Sequence, residues 1–153
     1  MSKSLARVRA ALENVSAIVM ETGEARTAQM AADELGVEVD QIAKSIIFRG
    51  ETSGEAILFI TAGGNQVDHD KAAALAGEPL GKADAALIRA QTGFAIGGVS
   101  PVGHLTPIRA FLDPRLRDFA LVWAAAGTPR HVFSVSPGDL EQLSGAVRAD
   151  FTA

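Results

Sequence analysis

Lys44 stands immediately ahead of the apolar run Ser45-Ile-Ile-Phe48, where its ammonium could reach across a strand end into a cavity. In that position a lysine can hold a phosphate or ribose oxygen as a point charge, or stabilise an oxyanion during acyl transfer. The same spacing also fits a solvated lysine whose stem lies along apolar surface. A second segment, Gly97-Gly98-Val99-Ser100-Pro101-Val102-Gly103-His104, combines glycines that let backbone approach a ligand with a proline that fixes chain direction. Its N–H groups could bind an ester or carboxylate oxygen, although a wide connection between two elements would have the same composition. Lys44 is the candidate catalytic residue. Ser45, Gly97, Gly98, Val99, Ser100, Pro101, Gly103 and His104 are the candidate substrate-binding residues.

Other chemistries find little support. The three histidines, His69, His104 and His131, include no pair at the i,i+4 spacing of a helical metal site, and no cysteine is present. Neither a metal nor a cofactor is expected. His69 falls in the first turn of a helix and His131 at a strand start, so His104, closing the glycine segment, is the one placed nearest a ligand. No Gly-x-Ser-x-Gly elbow marks a serine hydrolase.

The elements that must position these residues read as a mixture. Leu5, Val8 and Leu12 recur at helical spacing and predict a helix over 4–14, followed by a strand over Ser16–Met20. Thr27 caps a helix that stops at Gly36, and a helical turn over Val39–Ala43 leads into the strand Ser45–Arg49. That strand pairs with Ala56–Thr61 across a glycine-flanked loop. Asp68 and Asp84 cap helices ending near Gly77 and Gly93. Strands follow at Ile108–Leu112, Leu121–Ala125 and His131–Val135, then a helix opened by Ser136-Pro137 and a last strand within Ala146–Phe151. The hairpin and the clustered C-terminal strands break strict βαβ alternation. The expected fold is α+β, a single domain over 1–153 with a mixed, curved or barrel-like sheet surrounded by helices.

Composition agrees with one core. The chain is 48% hydrophobic and 21% charged, near the average for globular domains, and no window approaches the run of about 18 apolar residues that a membrane span needs. A cytoplasmic location without membrane association is expected. The formal net charge of −4 argues against a basic stripe along a nucleic-acid backbone, but leaves room for contact with a short single-stranded end.

The lysine ahead of a strand and the later Gly-x-x-x-Pro-x-Gly segment resemble, in order and separation, the YbaK/prolyl-tRNA-synthetase-associated family. Thr27-Ala-Gln-Met-Ala-Ala-Asp-Glu-Leu-Gly36, Gln41-Ile-Ala-Lys-Ser-Ile-Ile-Phe48, Val67-Asp-His-Asp-Lys71 and Val122-Trp-Ala-Ala-Ala-Gly127 look like successive blocks of it, so that the resemblance covers roughly residues 15–145. It implies an α+β domain that hydrolyses the ester between a wrongly attached amino acid and the terminal ribose of a tRNA, often that for proline. The partner would be the 3′ end of aminoacyl-tRNA, with a synthetase or the tRNA body supplying further affinity. Lys44 falls on the family's functional lysine. Gly97, Pro101 and Gly103 fall on the loop that shapes its amino-acid pocket, and a substrate hydroxyl would help to activate water. Size exclusion by the Gly98–Pro101 wall is then the expected source of selectivity, with Gly98→Val impairing turnover but not folding. The alternative is a non-catalytic module binding aminoacyl or nucleotide ligands in the same pocket. The oligomeric state and the amino acid removed are left open.

Overall fold

In the computed structural model, which describes residues 2–153, the Ser2 side chain accepts from the Leu5 N–H (3.2 Å) and starts helix α1, Lys3–Ala11. Leu5, Val8 and Leu12 are buried along one stripe. The helix ends three residues earlier than the expected 14, because Leu12 serves as its C-cap and leaves helical geometry. Strand β1, Ile18–Glu21, follows. Thr27 accepts from the Met30 N–H (3.1 Å) to cap α2, Ala28–Leu35, which Gly36 closes in the left-handed conformation.

A short 3₁₀ turn at Val39–Gln41 leads into β2, Ala43–Gly50, which forms a hairpin with β3, Ala56–Ala62. The strand begins two residues earlier than the sequence suggests. Lys44 therefore lies within β2 and pairs with Thr61, with Ala43 pairing with Ala62. Helix α3, His69–Ala76, and helix α4, Ala85–Thr92, are capped by Asp68 and Asp84. Between them lies β4, Leu80–Lys82. No β-branched or aromatic residue marks it, and it is a strand because it pairs with Phe48–Gly50.

After a long loop come β5, Arg109–Leu112, β6, Val122–Ala125, and β7, His131–Val135. Ser136 then caps helix α5, Pro137–Ser144, and the chain ends through β8, Val147–Arg148. The last strand is shorter than the expected stretch because it pairs only with Phe111 and Leu112 of β5.

The strands form two sheets. One is mixed, in the order β4-β2-β3-β5-β8; the other is antiparallel, in the order β1-β7-β6. A parallel bridge between Ile42 and Trp123 joins them. This is an α+β fold in which the expected curved sheet is divided in two and not closed. Every residue of β3 is buried, as befits a strand covered on both faces. On one face Leu58 and Ile60 pack with α1, Phe94, Val122, Phe133 and Leu140. On the other, Phe59 stacks on Phe111 (5.3 Å between centroids) and meets Phe151 edge-on (5.0 Å) above α3. Among the described residues no helix is long and apolar enough to cross a membrane.

Candidate active site

Strand β4 covers only the last three residues of β2, so the first half of β2 has an open edge facing β6 across the Ile42–Trp123 bridge. A cavity of about 730 Å³ occupies this edge. Its walls come from β2 itself, the N-terminal turn of α2 with Arg26 and Thr27, the Gly63-Gly64 turn after β3, the tip of the glycine loop at Ile96, Gly97 and Val99, and Trp123–Ala125 of β6.

Strand alternation sends neighbouring side chains to opposite faces. Lys44 shares its face with Ile46 and Phe48, whereas Ser45 shares the other with Ala43 and Ile47. Both Lys44 and Ser45 line the cavity because it wraps around the free edge. The Lys44 ammonium donates to the Gly63 carbonyl at 3.2 Å, which uses one of its three N–H donors. Burial holds its pKa below the ordinary lysine value, an effect opposed first by the carboxylate of Asp40 and then by that of Asp113. Both carboxylates are committed elsewhere. Asp40 accepts from the Gly64 N–H (2.8 Å) and Arg115 Nε (3.0 Å), and Asp113, 2% exposed, accepts from the N–H groups of Ala62 (3.1 Å) and Arg115 (3.0 Å) and from Asn65 Nδ2 (2.9 Å). Lys44 is thus steered by two negative charges without being neutralised in a contact pair.

Ser45 presents the opposite situation. Its Oγ is buried and has no hydrogen-bond partner among the described residues. Leaving such a group unsatisfied costs about 1–3 kcal/mol.

The glycine loop divides between cavity and core. Ala95–Gly98 forms a turn closed by the Gly98 N–H donating to the Ala95 carbonyl at 3.2 Å, with Gly97 at φ 99° in the third position. This is a place where a type II turn requires glycine. Gly97 and Val99 line the cavity; Gly98, Ser100, Pro101, Gly103 and His104 do not. Gly98 is buried, and a Cβ there would stand 2.8 Å from the Cα and carbonyl carbon of Thr128, so the close approach it permits is to another loop. Ser100 Oγ accepts from the Val102 N–H (3.1 Å), Pro101 is buried, and the Gly103 carbonyl accepts from Arg7 Nε (3.1 Å).

His104 is likewise turned into the loop. Its Nε2 lies 2.7 Å from the Ser100 carbonyl. Because a carbonyl only accepts, Nε2 carries the proton. The ring meets Phe94 edge-on at 5.8 Å, and Arg7 covers that phenylalanine. Burial lowers the His104 pKa, outweighing the bond to Ser100, and Arg7 lowers it further.

A neutral His104 contributes stability above its unfolded value of 6.5, and this is lost as pH falls through the lower folded-state value. The drop in unfolding free energy between about pH 7 and about pH 5 should therefore be smaller in His104→Gln, which cannot titrate; equal drops in chemical denaturation would exclude His104 as a source. Gly98→Val should destabilise the fold by about 1–3 kcal/mol through the clash with Thr128, read as a lower melting transition. This corrects the expectation that the substitution would spare folding.

The residues that sequence spacing did not single out are the cavity walls from α2, Gly63-Gly64 and β6. The blocks beginning at Thr27 and Val122 were visible as parts of the resemblance, but nothing local shows that they face Lys44. Among the described residues no three His, Asp or Glu side chains gather as a metal site.

A partly desolvated lysine, a glycine turn and an apolar-walled cavity at an open strand edge together make a candidate small-ligand site on an α+β fold, in the usual volume range for such sites. Residues 22–143 match the family model of the aminoacyl-tRNA editing domain, and the chain belongs to that family. The chain is 34% identical over 118 residues to the uncharacterised Bacillus subtilis protein YwhH, covering 77% of this chain and 74% of that one. Identity is 25% over 130 residues, 82% of this chain and 77% of the other, with Enterococcus faecalis EbsC, whose name proposes a Cys-tRNA(Pro)/Cys-tRNA(Cys) deacylase. A crystal structure described as a candidate trans-editing enzyme for prolyl-tRNA synthetase superposes with a TM-score of 0.90 at 46% identity, covering 100% of this chain and 99% of that one.

Proposed function

We propose that the chain, acting as one domain in the cytoplasm, hydrolyses the ester of mischarged aminoacyl-tRNA in trans, on tRNA for proline or a related tRNA. The observation that carries this reading is the meeting of Lys44 with Gly97 and Val99 in one cavity of about 730 Å³, inside a chain of the editing family. Lys44 keeps two N–H donors for the charged terminal nucleotide or for the oxyanion of the attacked ester. The Gly98 N–H is spent on Ala95, which leaves the cavity-lining Gly97 and Val99 as the loop residues whose amides could reach the ester carbonyl. The cavity walls hold the aminoacyl end while water attacks, and a hydroxyl of the substrate itself helps to activate that water. Contact restricted to the 3′ end makes the net charge of −4 tolerable, with the tRNA body or a synthetase adding affinity.

The test is release of free amino acid from a panel of mischarged tRNAs at low enzyme concentration. Multiple turnovers on at least one member support deacylation. Stoichiometric binding without turnover across the panel would leave a binding module, and equal rates on an aminoacyl ester lacking the nucleotide would remove the tRNA from the reading.

A further inference from the structure

We propose that Ser45 makes the cavity selective for an aminoacyl group whose side chain carries a hydroxyl, seryl or threonyl, over its alkyl isostere. This rests on the deacylase reading and names its substrate class. The observation is a cavity-lining serine whose Oγ is buried without a hydrogen-bond partner among the described residues. Buried polar atoms are nearly always paired, and an orphan calls for a use.

The surroundings say which part of a substrate supplies the partner. Ser45 lies between Ala43 and Ile47 on the face of β2 that packs on the larger core cluster, directly across from Ile60. Val99 and Ala124, two other cavity residues, belong to the same cluster or pack on it. This is an apolar floor containing one hydroxyl. The nucleotide and the α-ammonium, common to every aminoacyl-tRNA, are charged or strongly polar, and a single hydroxyl would not repay their desolvation there. They belong with Lys44, which lies on the opposite face of β2 from Ser45. A neutral side-chain hydroxyl needs only one partner in such a recess. Serine has three staggered χ1 positions, and one that brings Oγ to the cavity would let it both donate to and accept from a substrate hydroxyl.

Isosteric pairs test the idea. Wild type and Ser45→Ala are compared on one tRNA carrying serine, 2-aminobutyrate, threonine or valine. The wild type should favour each hydroxylated member, and Ser45→Ala should lose on the order of 10–100-fold in kcat/KM on those two while the alkyl members change by no more than about twofold. An equal fall across all four would place Ser45 at the shared nucleotide or amine, and no change would remove it from the site; either overturns the proposal.

A second measurement needs no turnover. Calorimetric binding of hydrolysis-resistant, amide-linked seryl- and 2-aminobutyryl-adenosine should show a preference for the seryl compound in wild type that disappears in Ser45→Ala. That result would stand even if the chain released no amino acid, and no preference in wild type would overturn the selectivity whatever the activity. Ser45→Ala should also melt at or above the wild-type temperature. A marked fall would reveal a structural partner for Oγ and overturn the proposal as well.

Discussion

Lys44→Ala should reduce turnover on mischarged tRNA by on the order of 10²-fold or more, the usual scale for one lost electrostatic contact at a reacting centre. The fold should survive. Lys44 makes one hydrogen bond, to Gly63, and forms no ion pair within the 4.0 Å contact range among the described residues. Its removal relieves the burial of a charge, so the melting transition should hold or rise. Lys44→Arg keeps the charge but exchanges a compact ammonium for a planar fork, and should recover only part of the rate. The pH dependence has a definite sign. With the Lys44 pKa below its ordinary value of 10.5, the charge is lost on the alkaline side earlier than for an exposed lysine. Enzymatic rate, after subtraction of the spontaneous ester hydrolysis measured in parallel, should fall there in wild type and not in Lys44→Arg. A folded Lys44→Ala protein with near wild-type kcat/KM would take this residue out of the mechanism.

Asp113→Ala should be the most damaging change to stability near the site, costing about 3–5 kcal/mol. The carboxylate is 2% exposed and receives three hydrogen bonds, from Ala62, Asn65 and Arg115, so its removal strands three donors at once. Ala62 ends β3, and the turn that follows carries the Gly63 carbonyl to which Lys44 donates. Loosening this corner should therefore lower turnover even where the variant remains folded. Asp113→Asn separates the two effects, because it keeps an acceptor and the side-chain shape while removing the negative charge near Lys44. Denaturant unfolding should show a smaller loss for Asn than for Ala. Equal stability of Asp113→Ala and wild type would mean that the corner is held by other contacts.

Local chemistry determined much of this protein before any tertiary contact was considered. Thr27, Asp68, Asp84 and Ser136 each cap a helix, and Gly36, Gly77, Gly93 and Gly145 end the same four helices in the left-handed conformation. Those signals act over a few residues and need no distant partner. The β2–β3 hairpin was legible for the same reason, its two apolar runs being joined by a short glycine-flanked loop. The order of motifs points to the editing family that the family match shows, and Lys44, singled out as a cation at the start of an apolar run, lines the cavity.

Where each loop side chain faces was decided only by tertiary structure. Gly97 and Gly98 are adjacent and identical in sequence, yet the first turns at the cavity and the second packs on Thr128, thirty residues away in the chain. Ser100, Pro101, Gly103 and His104 read as ligand contacts, but Arg7 of α1 reaches across to the Gly93 and Gly103 carbonyls and draws that half of the loop against the first helix. Strand β4 has no intrinsic β signal and exists through its pairing with β2, and its short length leaves open the edge on which the cavity forms. The division into two sheets, the arrival of α2 and β6 at that edge, and the burial of the Ser45 hydroxyl all depend on contacts between segments far apart in sequence. No periodicity or cap records such contacts, because their energy is realised only when both partners are already in place.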